Sequence, residues 1–401
     1  MTIDRLSQEI DPNWWKTKPL YRKLLSLLYR PRTFAKILHE ADANCSTYGP
    51  RVHVAYEVSD RLRDLYGQWT IAWSYGLDPA DWFAYEYHKM SWSQISRYAD
   101  IIVLQGWLNE RHAAAHHLDV CTDKLKFHRF CASHNTPSIP MLGIAENGRF
   151  RTMVAEDTPP FRSDLVVKDS GSKGGDGIQI YKFKNKAYLD DAGTQLTWDA
   201  LRDQLARSSA RMGASIIIQP RVRNHESWRP FTSGGLATVR LLTGRYPDGR
   251  VDALAASLRM PVGDAPLDNF SQGNLASAID LDTGILGPGV SKYPLRMGKT
   301  FQDHPDTGAT IHGAELQQWP AIRMWALALH RQLQIPVLGL DVTLTPQGVC
   351  AIEANPYYGR SSLEIPHELP LAETAFTDVA RDWMTAQIDT SPAPPVEVFS
   401  S

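Results

Sequence analysis

The 401-residue chain lacks the features that mark several large classes of protein. Its formal net charge is −2, which gives no overall attraction to nucleic acid, so we expect no nucleic-acid partner. No apolar run reaches the roughly 18–20 residues that span a bilayer. The first residues are polar and acidic, unlike a signal peptide. Cysteine is scarce, and Cys45, Cys121, Cys131 and Cys350 have neither metal-binding nor redox spacing. These absences predict a cytoplasmic protein with reduced thiols.

Several catalytic and nucleotide-binding motifs are missing as well. The chain contains neither the GxxxxGK[ST] pattern of a P-loop nor a dinucleotide fingerprint. It also has no Ser-His-Asp or Cys-His signature of a covalent nucleophile. Any chemistry must therefore come from other arrangements of residues.

The length and the sequence texture predict two or three domains. Residues 1–115 have apolar residues at helical spacing, and strands alternate with helices from about residue 138. We predict an α+β protein with a helical N-terminal region at 1–115, two α+β subdomains at 116–218 and 219–388, and a flexible tail at 389–401. Pro392, Pro394 and Pro395 make the tail unsuited to packing.

A basic stretch lies near the start of the chain. Residues 14–38 contain seven Lys or Arg and no Asp or Glu, interleaved with aromatic residues. A basic helix with aromatics can lie on an anionic membrane surface, which predicts peripheral membrane contact. The alternative is a helix that docks on the protein and turns its basic residues to water.

The most informative stretch is residues 338–357, which the pattern predicts to be two apolar strands joined by a tight turn. Pro346 presets a turn angle and Gly348 permits a left-handed residue, so a three-residue loop with a glycine bulge is expected. Pairing outward from such a loop places Asp341 opposite Glu353.

Asn355 extends this pair into a set of three oxygen ligands. It lies two residues after Glu353, and side chains two apart on a strand share a face. Hard oxygen ligands without His or Cys indicate Mg²⁺ or Mn²⁺ rather than zinc. The alternative is a hairpin without a metal, in which the polar face formed by Asp341, Glu353 and Asn355 is exposed to water.

A glycine-rich loop follows the apolar segment that ends at Lys168. Its backbone N–H groups can wrap phosphates, and Lys168 adds a positive charge at the strand end. A flexible surface hairpin is the alternative. The loop residues that we expect to contact phosphate are Gly171, Ser172, Gly174, Gly175 and Gly177.

Two further segments carry polar groups in apolar surroundings. Residues 216–222 form an apolar strand ending in Gln219, which suits a hinge that contacts an adenine edge; a core strand with a polar end is the alternative. Arg240 and Arg259 lie in apolar strands, where an unpaired guanidinium would be costly. Each needs a phosphate or a carboxylate, so internal salt bridges remain the alternative.

The order and spacing of these features, with Lys124 upstream, resemble the ATP-grasp superfamily over roughly residues 120–385. The most specific element is Asp341 followed by the Glu353-Ala354-Asn355-Pro356 sequence. The chain is most similar to the sugar-transfer-associated branch found in bacterial polysaccharide gene clusters. That closer resemblance rests on YGLDPADW at 75–82 and on residues 268–284 and 304–313.

The resemblance implies a fold in which two α+β subdomains clasp ATP. Lys124 and Lys168 would bind its phosphates, and residues 171–177 would cover them. Gln219, where many members have Glu, and Val222 would hold the adenine. The resemblance further implies two Mg²⁺ ions, with Mn²⁺ as a substitute, held by Asp341, Glu353 and Asn355.

The implied activity is a carboxylate–amine ligase acting through an acyl phosphate. Its partners would be a small-molecule carboxylate and an amine, and Arg240 with Lys168 would stabilise the transferring phosphoryl group. Arg259, Asn274 and His304 lie in or near turn-rich segments where substrate contact is expected, although turn chemistry also explains Asn and His there. A phosphotransferase with a hydroxyl acceptor and a non-catalytic ATP-binding partner of a glycosyltransferase complex are the alternatives.

Overall fold

The computed structural model describes residues 31–53, 55–113, 115–154, 159–171, 177–265, 268–292 and 298–386. Most of the basic stretch at 14–38, the loop residues Ser172, Gly174 and Gly175, and the tail at 389–401 lie outside the described residues. The predictions made for them stay predictions.

Helices form the first part of the described chain. Glu57 N–H donates to the Asp60 carboxylate at 3.2 Å where the second helix begins, and Gly76 ends the π-helical turn that continues it, with a φ of +70°. The helices are α1 Pro31–Val52, α2 Val58–Thr70 with the π-helical turn Ile71–Tyr75, α3 Asp81–Ala84, α4 Trp92–Ala113, α5 Leu118–Thr122 and α6 Lys124–Ser133. No helix within the described ranges is long and apolar enough to cross a membrane.

A seven-stranded antiparallel sheet follows these helices. Its order is β2-β1-β7-β3-β4-β5-β6, so the apolar run Ile216–Pro220 lies inside the sheet. Helix α7 (Trp198–Met212) buries Leu201 and Leu205 in the same core, and the Thr197 hydroxyl caps it by accepting from Ala200 N–H at 3.2 Å. The strands are β1 Gly143–Glu146, β2 Arg149–Thr152, β3 Leu165–Asp169, β4 Gln179–Lys184, β5 Ala187–Leu189, β6 Gln195–Leu196 and β7 Ile216–Pro220.

A six-stranded antiparallel sheet forms the second half. Its order is β11-β10-β9-β8-β12-β13, and helix α8 (Trp319–Gln332) packs Trp319 and Ile322 into its core. The inner strands are buried almost throughout, which explains why their sequences read as continuous apolar runs. The strands are β8 Thr238–Arg245, β9 Val251–Met260, β10 Leu275–Ile279, β11 Leu286–Val290, β12 Val337–Thr345 and β13 Gly348–Asn355, and helices α9 Ser361–His367 and α10 Phe376–Thr385 follow.

The helical region shares a core with the second sheet. Ile101, Leu104 and Leu108 of α4 pack with Leu242 of β8 and Phe376 of α10. The predicted α+β class with preceding helices is therefore confirmed. The predicted division at residues 115, 218 and 388 stays a prediction, although one sheet ends at residue 220 and the next begins at 238.

Candidate nucleotide and metal site

An open cleft lies between the two sheets. One wall comes from β3, β4 and β7, and the other from β8, β9, β12 and β13. Residues from both walls carry most of the predicted site. The predicted residues that line this cleft are Lys124, Lys168, Gln219, Val222, Arg259, Asp341 and Glu353.

Lys168 is buried at the end of β3 and faces this cleft. Burial lowers its pKa to about 8, with Glu353 acting in the opposite direction and Lys124 in the same direction. A buried ammonium near a carboxylate is a fixed positive charge that an anionic ligand would reinforce. This arrangement suits a phosphate contact.

The start of α6 is tied to the end of β3. Lys124 N–H donates to the Ser170 carbonyl at 3.0 Å, and the Asp123 carboxylate caps the helix by accepting from the Leu125 and Lys126 amides. The local sequence therefore brings Lys124 beside the beginning of the glycine-rich loop. Of the loop, Gly171 donates to the Asp169 carboxylate at 2.7 Å, and Gly177 has a φ of +73°.

The predicted hinge follows β7. Gln219 is buried and lines the cleft, and its Nε2 donates to the Ile139 carbonyl at 3.2 Å, a bond that does not use its side-chain oxygen. Val222 lines the same part of the cleft. An acceptor beside an apolar side chain is what an adenine amino edge requires.

The last hairpin places Asp341 opposite Glu353, as the sequence predicts, but by a different route. Thr345 pairs with Gly348, so the turn contains two residues. The prediction of a three-residue loop is therefore wrong. A β-bulge between Asp341 and Val342 shifts the pairing of the two strands by one residue and so brings Glu353 opposite Asp341. Register is therefore set within the strand and not at the turn.

The oxygen donors of this hairpin fit a hard cation. Asp341 and Glu353 are paired directly across the hairpin, and two adjacent carboxylates repel unless a positive charge lies near. Asn355 Nδ2 donates to Glu353 Oε1 at 3.0 Å, so its amide oxygen remains a donor for a metal. Within the described ranges, no group of three or more His, Cys, Asp or Glu is arranged to hold a metal; this set has two carboxylates and one amide.

Asp341 is also paired with two arginines. Arg240 donates through Nε to Oδ1 and through Nη2 to Oδ2 at 3.0 Å, and Arg259 Nη2 lies 3.0 Å from Oδ2. Burial acts to raise the pKa of Asp341, but the two guanidinium groups outweigh it and hold that pKa below its usual value. Asp341 is ionised here.

Asp268 and Thr238 complete the cluster and were not expected from the sequence. Arg259 Nε lies 3.2 Å from Asp268 Oδ2 and 3.0 Å from the Thr238 hydroxyl, which itself donates to Asp268. Burial raises the pKa of Asp268, and Arg259 counteracts this. The one signal in the sequence was Arg259 itself, because a guanidinium in an apolar strand requires a carboxylate somewhere in the chain.

A second open cavity adjoins the first, and both are lined by Lys124, Arg259, Asn269, Asp341 and Glu353. The carboxylate pair therefore lies where the two cavities meet. Beyond it, the wall of the second cavity includes basic, amide and hydroxyl side chains, namely Arg240, Lys292, Asn355, Ser361 and Ser362.

The three predicted substrate residues lie in different places. Arg259 lines both cavities, whereas the described walls include neither Asn274 nor His304. Asn274 is buried, accepts from Val262 N–H at 3.0 Å and donates to the Asn269 carbonyl at 3.1 Å. His304 Nε2 lies 3.0 Å from the Pro261 carbonyl. These contacts hold the loops around Asn269.

The fold and the site define the ATP-grasp class of protein. Residues 106–375, two thirds of the chain, match the family described as sugar-transfer associated ATP-grasp. The chain therefore belongs to the sugar-transfer associated ATP-grasp family, and the predicted resemblance is confirmed. ATP-grasp enzymes as a class bind ATP and Mg²⁺.

Several solved structures are similar at low identity. D-cycloserine synthetase DcsG is 16% identical, covers 66% of this chain and 70% of its own, and gives a TM-score of 0.35. D-alanine–D-alanine ligase from Bacillus anthracis is 12% identical, with 66% and 67% covered and a TM-score of 0.36.

A third similar structure is D-alanyl-alanine synthetase A from Vibrio cholerae O1 biovar eltor str. N16961. It is 10% identical, with 60% of this chain and 57% of its own covered and a TM-score of 0.34. The match thus spans less than two thirds of that protein. The sequence has no significant match among curated proteins.

Proposed function

We propose that this protein is an ATP-dependent carboxylate–amine ligase that acts through an acyl phosphate. The observation that carries the proposal is the basic wall of the second cavity. Arg240, Arg259 and Lys292 line it directly beyond the carboxylates of Asp341 and Glu353. Guanidinium groups suit a substrate carboxylate, whereas a hydroxyl acceptor would need a base, and Asp123 on the same wall is engaged in capping α6.

The first cavity would hold the nucleotide. Its adenine would lie against Gln219 and Val222, and its phosphates would extend toward Lys168 and Lys124. The buried Lys168 charge and the N–H groups of the glycine-rich loop at 171–177 would bind the phosphate oxygens. This direction leaves the terminal phosphate at the junction of the two cavities.

Asp341, Glu353 and Asn355 would hold the divalent cations, two by analogy with the superfamily. Bound Mg²⁺ would supply charge neutralisation of the β- and γ-phosphate oxygens. The protein's own cations act on the same charge from the other side. Arg240 keeps Nη1 free of Asp341, since its Nε and Nη2 make the contacts to that carboxylate.

The chemistry follows from this placement in two balanced steps. A substrate carboxylate oxygen attacks the γ-phosphorus, the bond to the β,γ-bridging oxygen breaks, and ADP leaves with that electron pair. The amine nitrogen then attacks the acyl carbon, inorganic phosphate leaves, and the ammonium loses a proton to give an amide. Arg240, Arg259 and Lys168 would stabilise negative charge throughout, and closure of the loop at 171–177, as the family resemblance implies, would limit hydrolysis of the acyl phosphate.

The second cavity suggests a polar, hydroxylated carboxylate as substrate. Ser361, Ser362 and Asn355 contribute hydrogen-bonding groups to its wall, and Phe127 and Phe270 contribute aromatic surface. Such a mixture suits a carboxylated sugar or a similar small molecule, joined to an amine such as an amino acid.

An isotope experiment tests the reaction class. The protein would be incubated with ATP, Mg²⁺, amino acids and a panel of uronic acids labelled with ¹⁸O in the carboxylate. A ligase transfers one ¹⁸O from the carboxylate into inorganic phosphate, which mass spectrometry detects. Label that stays in a phosphorylated product with no label in phosphate would overturn the ligase in favour of a phosphotransferase.

A further inference from the structure

Arg259 lies between two buried carboxylates. Its Nη2 is 3.0 Å from Asp341 Oδ2, and its Nε is 3.2 Å from Asp268 Oδ2. The Thr238 hydroxyl accepts from the same two nitrogens at 2.6 and 3.0 Å. One guanidinium is therefore shared between a predicted ligand of the cation and a carboxylate that the proposed chemistry does not use.

The two arginines occupy most of the acceptor capacity of Asp341. A carboxylate has about four lone-pair positions; Arg240 takes one on each oxygen by hydrogen bonds, and Arg259 Nη2 lies in ion-pair contact with Oδ2. The fork from Arg240 is held at two points. Arg259 touches Asp341 at one point, and it keeps its hydrogen bonds to Thr238 and its ion pair with Asp268 if that contact is lost. Arg259 is thus the partner that Asp341 can exchange.

The net charge of the cleft also disfavours binding of a cation in the absence of nucleotide. Its described lining contains four cations and three carboxylates, which leaves an excess of one positive charge. A free divalent cation is disfavoured at such a site, whereas a nucleotide triphosphate is attracted. The cations are Lys124, Lys168, Arg221 and Arg259, and the carboxylates are Asp268, Asp341 and Glu353.

We propose that Arg259 is an internal counter-ion that makes cation binding depend on nucleotide. In the nucleotide-free protein it neutralises Asp341; when nucleotide is present its guanidinium turns to Asp268 and the phosphates, and Asp341 becomes available as a ligand. The protein then binds the divalent cation more tightly with nucleotide than without it. This inference rests on the proposed function, because it takes Asp341 as a ligand of the cation.

Electron paramagnetic resonance of Mn²⁺ tests the inference without any turnover. Free Mn²⁺ would be titrated against the full-length protein and Arg259→Gln, each with and without a non-hydrolysable ATP analogue. Wild type should bind Mn²⁺ weakly without the analogue and more tightly with it. Arg259→Gln should bind Mn²⁺ without nucleotide at least about tenfold more tightly than wild type, equivalent to about 1.4 kcal/mol. No gain in nucleotide-free binding would overturn the proposal.

Arg221→Gln is the matched control. It removes the same charge from the same cleft, but Arg221 contacts Asp164 and the Gly234 carbonyl instead of Asp341. Its nucleotide-free Mn²⁺ binding should rise much less than that of Arg259→Gln, because only the net charge of the cleft changes and the Asp341 contact stays. An equal gain in both variants would show an effect of net charge alone and would also overturn the role of the Arg259 contact.

Asp268→Asn provides an independent test if Arg259→Gln does not fold. With Asp268 neutral, Arg259 loses its alternative partner and stays on Asp341, so Mn²⁺ should bind more weakly in the presence of the analogue. Unchanged Mn²⁺ binding in Asp268→Asn would count against the exchange. Failure of the ¹⁸O transfer would instead refute the reaction class, so the two results are separable.

Discussion

Asp341 lies directly opposite Glu353 because β13 carries one extra residue, Ile352, at that point. Without the bulge, pairing from the turn would place Ile352 opposite Asp341 and Glu353 opposite Leu340, whose side chain faces the apolar core. The bulge also puts two consecutive residues, Ile352 and Glu353, on the wall of the same cleft. One position therefore controls both the acidic pair and the apolar surface beside it.

Replacing Glu353 by Gln should abolish metal-dependent ATP turnover. The amide keeps the size and the acceptor for Asn355 but loses the charge that faces Asp341. We expect a loss of at least about 100-fold, the upper end of what removal of a supporting partner costs a metal site. ADP release measures turnover, and urea unfolding shows that the fold remains. Glu226→Gln, at an exposed position, should match wild type; an active Glu353→Gln would refute the metal assignment.

Replacing Lys168 by Ala should weaken ATP binding by about 1.5–3 kcal/mol, the usual value of a hydrogen bond to a charged group. Titration calorimetry with an ATP analogue measures the change. Lys182→Ala removes an exposed lysine from the neighbouring strand β4 and should leave the affinity unchanged. Equal affinities for Lys168→Ala and wild type would remove Lys168 from the nucleotide site.

The affinity for nucleotide should fall as pH rises through about 8. Burial lowers the pKa of Lys168 to about 8, so above that pH the free protein has a neutral amine there. Phosphate favours the ammonium, so binding at pH 8.5 should take up a proton, and affinity should fall by up to about tenfold for each pH unit above the pKa.

Calorimetry in buffers of different ionisation enthalpy measures that uptake. Lys168→Arg stays charged across this range and should bind nucleotide without proton uptake. Identical binding enthalpies in all buffers for wild type at pH 8.5 would contradict the prediction.

Replacing Asp81 by Asn should destabilise the protein strongly. Arg360 Nη2 lies 2.5 Å from the Asp81 carboxylate and its Nη1 lies 3.2 Å from Glu364, which also accepts from the Tyr85 hydroxyl at 2.8 Å. Breaking one partner of such a buried network costs about 3–5 kcal/mol.

Urea unfolding measures the free energy of unfolding of Asp81→Asn. Asp378→Asn breaks an exposed pair with Arg381 and should cost no more than about 1 kcal/mol. A similar small cost for Asp81→Asn would show that the network adds little to stability.

Features set by local chain order could be predicted from the sequence. Lys168 before the glycine-rich loop, the Gln219 strand end and the acidic hairpin each depend on neighbouring residues, and each lies on the cleft. Periodicity and turn residues carry such information. The α+β class followed from the same signals.

Features set by contacts between distant parts of the chain could not be predicted from the sequence. Asp268 meets Arg259 and Thr238 only because of how the loop before β10 returns over β9 and β8, and no local pattern encodes that return. The bulge at Ile352 reflects competition between turn geometry and burial of the strand's apolar face, which turn residues alone do not reveal. Whether the strands pair with or without the bulge depends on the packing of the whole sheet.

The buried network around Arg360 includes residues on both sides of the start of the family match. The family match begins at residue 106, yet Asp81 and Tyr85 lie before it and are 279 positions from Arg360 and Glu364 respectively. A chain shortened to the matched region would leave Arg360 and Glu364 without these partners, a few residues beyond Asn355. The region that sequence similarity identifies therefore differs from the region that this buried network joins, and moving residues 106–375 into another protein would break the contacts of Arg360 and Glu364 unless the preceding helices were moved as well.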